Sequence, residues 1–283
     1  MKYFVPELAL GALLPPQSQL VEKLGGLPWG LPLDRWPLCR ECGNPQNHLA
    51  TFVHHAERLD LGKEGRAVLI FQCGHSPNET DCETSEAASG ANAVVFLDAS
   101  EIGGALTEAP APGAMKEIEM RVAGWTEQHD LVTPEVEASF YSAVGFWDEP
   151  DEARQTIEDS IEDGTRLGSV PRWVQEPEKI NSTFHFAAQL AMYAHFPDPL
   201  PTADSVGAAI LVWDAAAGDY CVSEPSQPET TLRGQIYVSD LTRERYGSGF
   251  DVEFAEFGDG GNGYLFVNPD PEAPQGLFMW QCG

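Results

Sequence analysis

Six cysteines carry most of the chemistry that can be read from this chain, and four of them, Cys39, Cys42, Cys73 and Cys82, fall in its first half. Cys39-Arg40-Glu41-Cys42-Gly43 is a Cys-x-x-Cys knuckle, a turn whose glycine lets backbone amides face the thiolate sulfur. Two thiolates so placed can share a Zn²⁺, and a closed structural site needs four ligands. Cys73 and Cys82 complete the tetrahedron, so these four cysteines are the expected ligands of a structural zinc. In a cytosolic chain a metal fits the pattern better than a disulfide. Three other readings stand beside it: a redox dithiol at the knuckle, unpaired cysteines buried as small hydrophobes, and a ligand set in which His75 replaces a cysteine. Cys221 and Cys282 read as packing residues.

Raw materials for catalysis are also present in His48, His54, His55, His75 and His185 and in many carboxylates. Catalysis, however, needs a nucleophile, a base and an orienter held together. The sequence has no Gly-x-Ser-x-Gly elbow, His-Glu-x-x-His pair or phosphate loop. His54 and His55, adjacent in a strand, would face opposite sides. The enzymatic alternative is a hydrolase or nucleic-acid-processing enzyme with its site near His185, Gln189 and Trp173. Asp259-Gly260-Gly261-Asn262-Gly263 lacks the alternating ligands of a calcium loop and reads as a glycine turn.

Charge separates the function classes further. The chain has 44 acidic residues against 16 basic ones, a net charge of −28. That field repels phosphate backbones and anionic lipid headgroups, so no nucleic-acid or membrane partner is expected. It attracts a basic protein, such as a toxin or a ribosomal-type client. Solubility, or adaptation to a salty cytoplasm, is the competing account of the same charge. The expectation is a non-enzymatic acidic binding module, an escort or immunity-type inhibitor. Trp29, Trp36, Arg172 and Trp173 are its candidate partner-binding anchors, because Trp and Arg dominate binding hot spots. Plain core packing beside proline is the competing reading of each tryptophan.

These residues need elements to position them. Residues 1–19 have the apolar run Leu8-Ala9-Leu10-Gly11-Ala12-Leu13-Leu14, interrupted upstream by Pro6-Glu7 and closed by Pro15-Pro16. They read as a short N-terminal arm or helix and not as a targeting segment. No run approaches the ~18 apolar residues needed to cross a bilayer, and a cytoplasmic location is expected.

Two stretches then resemble each other in order. Leu24-Gly25-Gly26-Leu27-Pro28-Trp29 parallels Leu167-Gly168-Ser169-Val170-Pro171-Arg172-Trp173. Asn47–Phe52 parallels Phe184–Leu190, and strand-like runs at 67–74 and 277–283 both end in Gln-Cys-Gly. The predicted organisation is a first half over 20–147, an acidic helical linker over 148–165 and a second half over 166–283. In the linker, Ala153, Ile157 and Ile161 form one narrow apolar stripe. An earlier helix is predicted over Thr133–Val144, with Pro134 in its first turn. The fold class is α+β with β dominant, built from a duplicated unit.

Taken together, these boxes resemble the YwqG-like family of bacterial proteins. The resemblance rests on Leu24–Trp29, Trp36-Pro37-Leu38-Cys39 with Cys42-Gly43, and His48-Leu49-Ala50. It continues through residues 167–175 and the closing Phe278-Met279-Trp280-Gln281-Cys282. The family pattern has Gln where Thr51 and Phe52 stand; Gln189 keeps it in the second half. The resemblance implies a duplicated α+β unit. At the knuckle and the following strand the chain is distantly similar to eukaryotic programmed-cell-death-type proteins that escort a ribosomal protein. YwqG-like proteins also resemble components of bacterial toxin neighbourhoods. Both likenesses imply protein binding.

Overall fold

The computed structural model describes residues 1–11, 14–74, 82–110, 114, 116–141, 152–197, 211–214, 219–222, 232–233, 235–237 and 250–283. Its strands are β1 (Lys2–Leu10), β2 (Lys23–Leu24), β3 (Asn47–Val53), β4 (Ala67–Gln72), β5 (Asn92–Leu97), β6 (Lys116–Glu117), β7 (Met120–His129), β8 (Arg166–Gly168) and β9 (His185–Ala191). They continue as β10 (Tyr193–Phe196), β11 (Leu211–Asp214), β12 (Asp219–Val222), β13 (Leu232–Arg233), β14 (Gln235–Tyr237), β15 (Phe250–Glu253), β16 (Asn262–Asn268) and β17 (Gln275–Gln281). Ten of them form one antiparallel sheet in the order β17-β16-β9-β8-β1-β7-β2-β3-β4-β5, whose two edge strands curl round to meet. A second sheet runs β10-β15-β14-β12-β11, and β13 pairs with β6. The β-dominated expectation holds. Residues 142–144 of the predicted helix, residues 148–151 of the linker, His75 and the Cys221 side chain lie outside what is described.

The N-terminal segment is neither arm nor helix. It is β1, the middle of the large sheet, flanked by β7 and β8. Leu8 and Leu10 enter the barrel core, and that burial decides the conformation. Pro6 is tolerated because β8 pairs only with Tyr3 and Phe4, so no strand claims a proline N–H further along that side.

Strand order and register repeat on either side of the central β1–β7 pair. Lys23 and Leu24 of β2 face Thr51 and Ala50, while Arg166 and Leu167 of β8 face Gln189 and Ala188. The next ladder has a bulge at the same step on both sides: Leu49 is skipped between β3 and β4, and Ala187 between β9 and β16. The turns after β2 and β8 also match, with positive φ at Gly25 and Gly26 and again at Gly168 and Ser169. The two Gln-Cys-Gly ends do not correspond as expected. By position β4 matches β16, whereas β17 takes the place of β5.

Strand β4 explains why an unbroken apolar run was needed. Its inner side chains Val68 and Ile70 join the barrel core, and Ala67, Leu69 and Phe71 lie under Leu31 and Trp36 on the outside. On the other half, Tyr264 and Phe266 of β16 lie under Trp173. Helix α1 (Pro134–Glu137) gives way to a 3₁₀ turn over Ala138–Tyr141, within the stretch predicted as one helix. Helix α2 (Glu152–Asp159) leads to Ile161, and Ile157 and Ile161 pack with Val132, Phe140 and Val170.

Among the described residues, three cations are fully enclosed. Arg166 donates to the carbonyl oxygens of Glu162 (3.0 Å) and Gly168 (2.7 Å), to Val170 O, and to Gln189 Oε1 (3.3 Å). Burial pulls its pKa down to about 10, so it stays charged at neutral pH. Lys23, its positional counterpart on β2, pairs with Glu119 at 2.7 Å. Arg66 bonds Asp98 at 2.7 Å and donates to Asp270 O (3.0 Å) and Pro271 O (2.6 Å), tying β4 to the β16–β17 turn. Gly62 permits that approach: a Cβ there would lie 1.9 Å from Pro269 O.

Candidate functional site

The sulfur atoms of Cys39, Cys42, Cys73 and Cys82 all lie within 4.8 Å of one another. The Cys42–Cys73 separation is 3.6 Å. Zinc–sulfur bonds of ~2.3 Å in a tetrahedron place sulfurs ~3.8 Å apart, whereas a disulfide needs ~2.05 Å. The spacing therefore fits a shared metal and no disulfide. Cys39, Cys73 and Cys82 are buried, and Cys42 is half-buried. Thiol chemistry points the same way. Burial pushes the Cys82 thiol up to about 12. Burial also opposes ionisation of Cys42, yet hydrogen bonds from Asn44 and the other three thiols hold it below the ordinary range. Four thiolates this close would repel one another; a divalent cation removes the repulsion and satisfies all four.

Local sequence builds this arrangement. The Gly43 amide donates to Cys39 O (2.8 Å) and the Cys39 amide to Asn44 O (2.9 Å), which closes the knuckle. Gly43 adopts φ +75° with open space where a Cβ would stand. Cys73 follows β4 directly and donates its amide to Ala91 O (2.8 Å), just before β5. The Glu83 amide donates to both carboxylate oxygens of Glu41 (3.1 and 3.2 Å), drawing the Cys82 loop onto the knuckle. Glu41 is a supporting residue that the cysteine pattern alone does not reveal; its place inside the knuckle is the only signal.

The tryptophan anchors lie inside the fold. Trp29, Trp36 and Trp173 are all buried. Trp36 Nε1 donates to Gln46 O (3.0 Å) and Trp173 Nε1 to Phe140 O (2.6 Å), so both indoles are committed inside the fold. Each covers the outer face of its half of the sheet, at 5.5 Å from Phe71 and 6.0 Å from Phe266 respectively. Of the four anchors only Arg172 is partly exposed, and it lies 3.6 Å from Asp163. Of the residues of the enzymatic alternative, Gln189 and Trp173 are held inside the fold and His185 is not. Gln189 is buried, accepts from Arg166 Nη2 (3.3 Å) and the Arg172 amide (3.2 Å), and donates to Asp163 O (3.1 Å). His185 stands exposed at the start of β9. His54 accepts from the Leu61 amide (3.0 Å), while His55 faces solvent.

A cleft of ≈ 400 Å³ opens where β8 stops running beside β1. Its walls include Pro6, Leu8, Glu162, Asp163, Tyr193 and His195. His195 Nδ1 lies 2.9 Å from Asp251 Oδ1. Burial, and then the negative field of Glu253, Asp259, Glu256 and Asp251, push the Tyr193 phenol above its usual range. The mouth of this cleft is electronegative.

His48 has a structural role with a measurable signature. Nδ1 faces the carbonyl oxygens of Gly25 (3.2 Å) and Gly26 (3.0 Å), and Nε2 lies 2.8 Å from Thr51 Oγ1. Burial, then Lys23, lowers its pKa to about 3. The unfolded chain therefore binds a proton at His48 below pH ~6.5 that the folded protein refuses until about pH 3. Stability contributed here is present above pH ~6.5 and falls as pH drops, by up to ~1.4 kcal/mol per unit. Denaturant melts of wild type and His48→Gln across pH 4–7 should differ by that slope; parallel curves would contradict it.

No protein-family model matches the chain, and no curated protein matches it either.

Proposed function

We propose that this protein is a non-enzymatic acidic binding module, held together in part by a structural zinc, that grips a basic protein. The observation that carries the reading is where the few cations go. Of the 16 basic residues against 44 acidic ones, Lys23, Arg66 and Arg166 are fully buried in internal bonds. Arg58, Lys116 and Arg121 are mostly covered and paired with Glu22, Glu108 and Glu119. The outward field is thus more one-signed than composition alone implies, and such a field steers positive partners. The cleft at the β1–β8 gap is the proposed seat for a partner's Lys or Arg side chain, with Glu162 and Asp163 on its wall and Arg172 beside them. Repetition of register, bulge and turn on the two sides of β1–β7 supports a duplicated unit. It also supports kinship with the YwqG-like proteins, whose boxes include parts of β2, β3, β8 and β17.

Affinity capture from host extract across a salt series tests the reading. Basic proteins should be recovered at low ionic strength and lost progressively as salt rises. The double substitution Glu162→Lys and Asp163→Lys should weaken capture about tenfold or more. Recovery of no basic protein at low salt would end the proposal.

A further inference from the structure

The two edges of the large sheet, β5 and β17, meet without a backbone ladder between them. Gly276 lets them approach, since a Cβ there would lie 2.3 Å from Val94 Cγ1. What spans the seam is a set of side-chain hydrogen bonds converging on one short loop. Asn92 Nδ2, at the start of β5, donates to Phe278 O on β17 (3.2 Å) and to Thr84 O (2.6 Å). Trp280 Nε1, also on β17, donates to Thr84 Oγ1 (3.0 Å). Thr84 in turn donates its amide to Cys82 O (2.8 Å), and Cys82 belongs to the cysteine cluster.

We propose that the Cys82–Thr84 loop is a latch that closes the barrel seam, and that the metal centre governs it. The proposal rests on the metal reading of the four cysteines. With Cys82 fixed against Cys39, Cys42 and Cys73, Thr84 presents fixed acceptors to both edge strands. With Cys82 released, Asn92 and Trp280 lose their common anchor at Thr84, and across the seam β17 is left with the single Asn92–Phe278 O bond beside its ladder to β16. The centre would then tune local opening of one strand more than global unfolding.

Hydrogen exchange with parallel metal analysis tests this on the full chain. Chelation of the zinc-loaded protein should raise exchange in β17 and β5 about tenfold more than in β1 and β7. Asn92→Ala should raise β17 exchange while one zinc per chain remains bound, and Trp280→Phe should do so more weakly. One zinc per chain with β17 exchange unmoved by chelation, or an equal rise throughout the sheet, overturns the latch and leaves the metal centre standing. No bound zinc overturns the metal centre itself and this proposal with it.

Discussion

Cys73→Ser is expected to abolish stoichiometric zinc and to lower the melting temperature sharply, because one ligand of four cannot be spared in a closed site. Serine oxygen is a poor donor to zinc beside three sulfurs, and the remaining thiols sit too close to ionise together without a cation. A metal that binds only the folded chain stabilises it by about 4 kcal/mol at a free concentration a thousandfold above its Kd. For a chain of this size that is roughly 8–16 °C. Cys282 lies outside the cluster, so Cys282→Ser should retain the zinc. Elemental analysis beside a thermal melt reads both variants. Cys73→Ser purified with one zinc per chain would remove the tetrahedral assignment.

Arg166→Met should be the most damaging single substitution away from the cysteines. The guanidinium is the common donor to the carbonyls of Glu162, Gly168 and Val170 and to Gln189 Oε1. Methionine fills much of the volume but leaves those acceptors buried with one donor fewer each. Losing the charged half of a buried hydrogen-bonded set costs about 3–5 kcal/mol. Arg166→Lys should recover part of this, since an ammonium has three donors and lacks the planar fork. Denaturant titration measures the difference. A loss below about 1 kcal/mol would mean that the carbonyls find other donors.

The sequence made some of this legible and hid the rest for identifiable reasons. The knuckle and its two distant cysteines were readable because metal ligation restricts residue type and spacing. The Leu24–Gly26 and Leu167–Ser169 boxes were readable because paired positive-φ positions favour glycine, though Ser169 shows the preference is not absolute. The N-terminal strand was not readable. Its sequence does not alternate cleanly, with Tyr3 and Phe4 both buried in succession, and its partners β7 and β8 lie far along the chain. Equating 67–74 with 277–283 followed a shared Gln-Cys-Gly, whereas strand position is fixed by pairing, and that equates β4 with β16. The burial of the tryptophans was not readable because hot-spot residues and core residues share one composition. Only burial separates them.

The placement of β1 has a kinetic corollary. Phe4 pairs with Glu127 on one side and Leu167 on the other, about 120 and 160 positions away. During synthesis the first strand therefore emerges long before either neighbour exists, with Leu8 and Leu10 still bare. Such long-range closure slows folding and leaves an adhesive strand open to wrong pairing in the interim. The nascent chain should refold in the range of seconds or slower, and benefit from a holdase that shields its opening residues until β7 and β8 arrive.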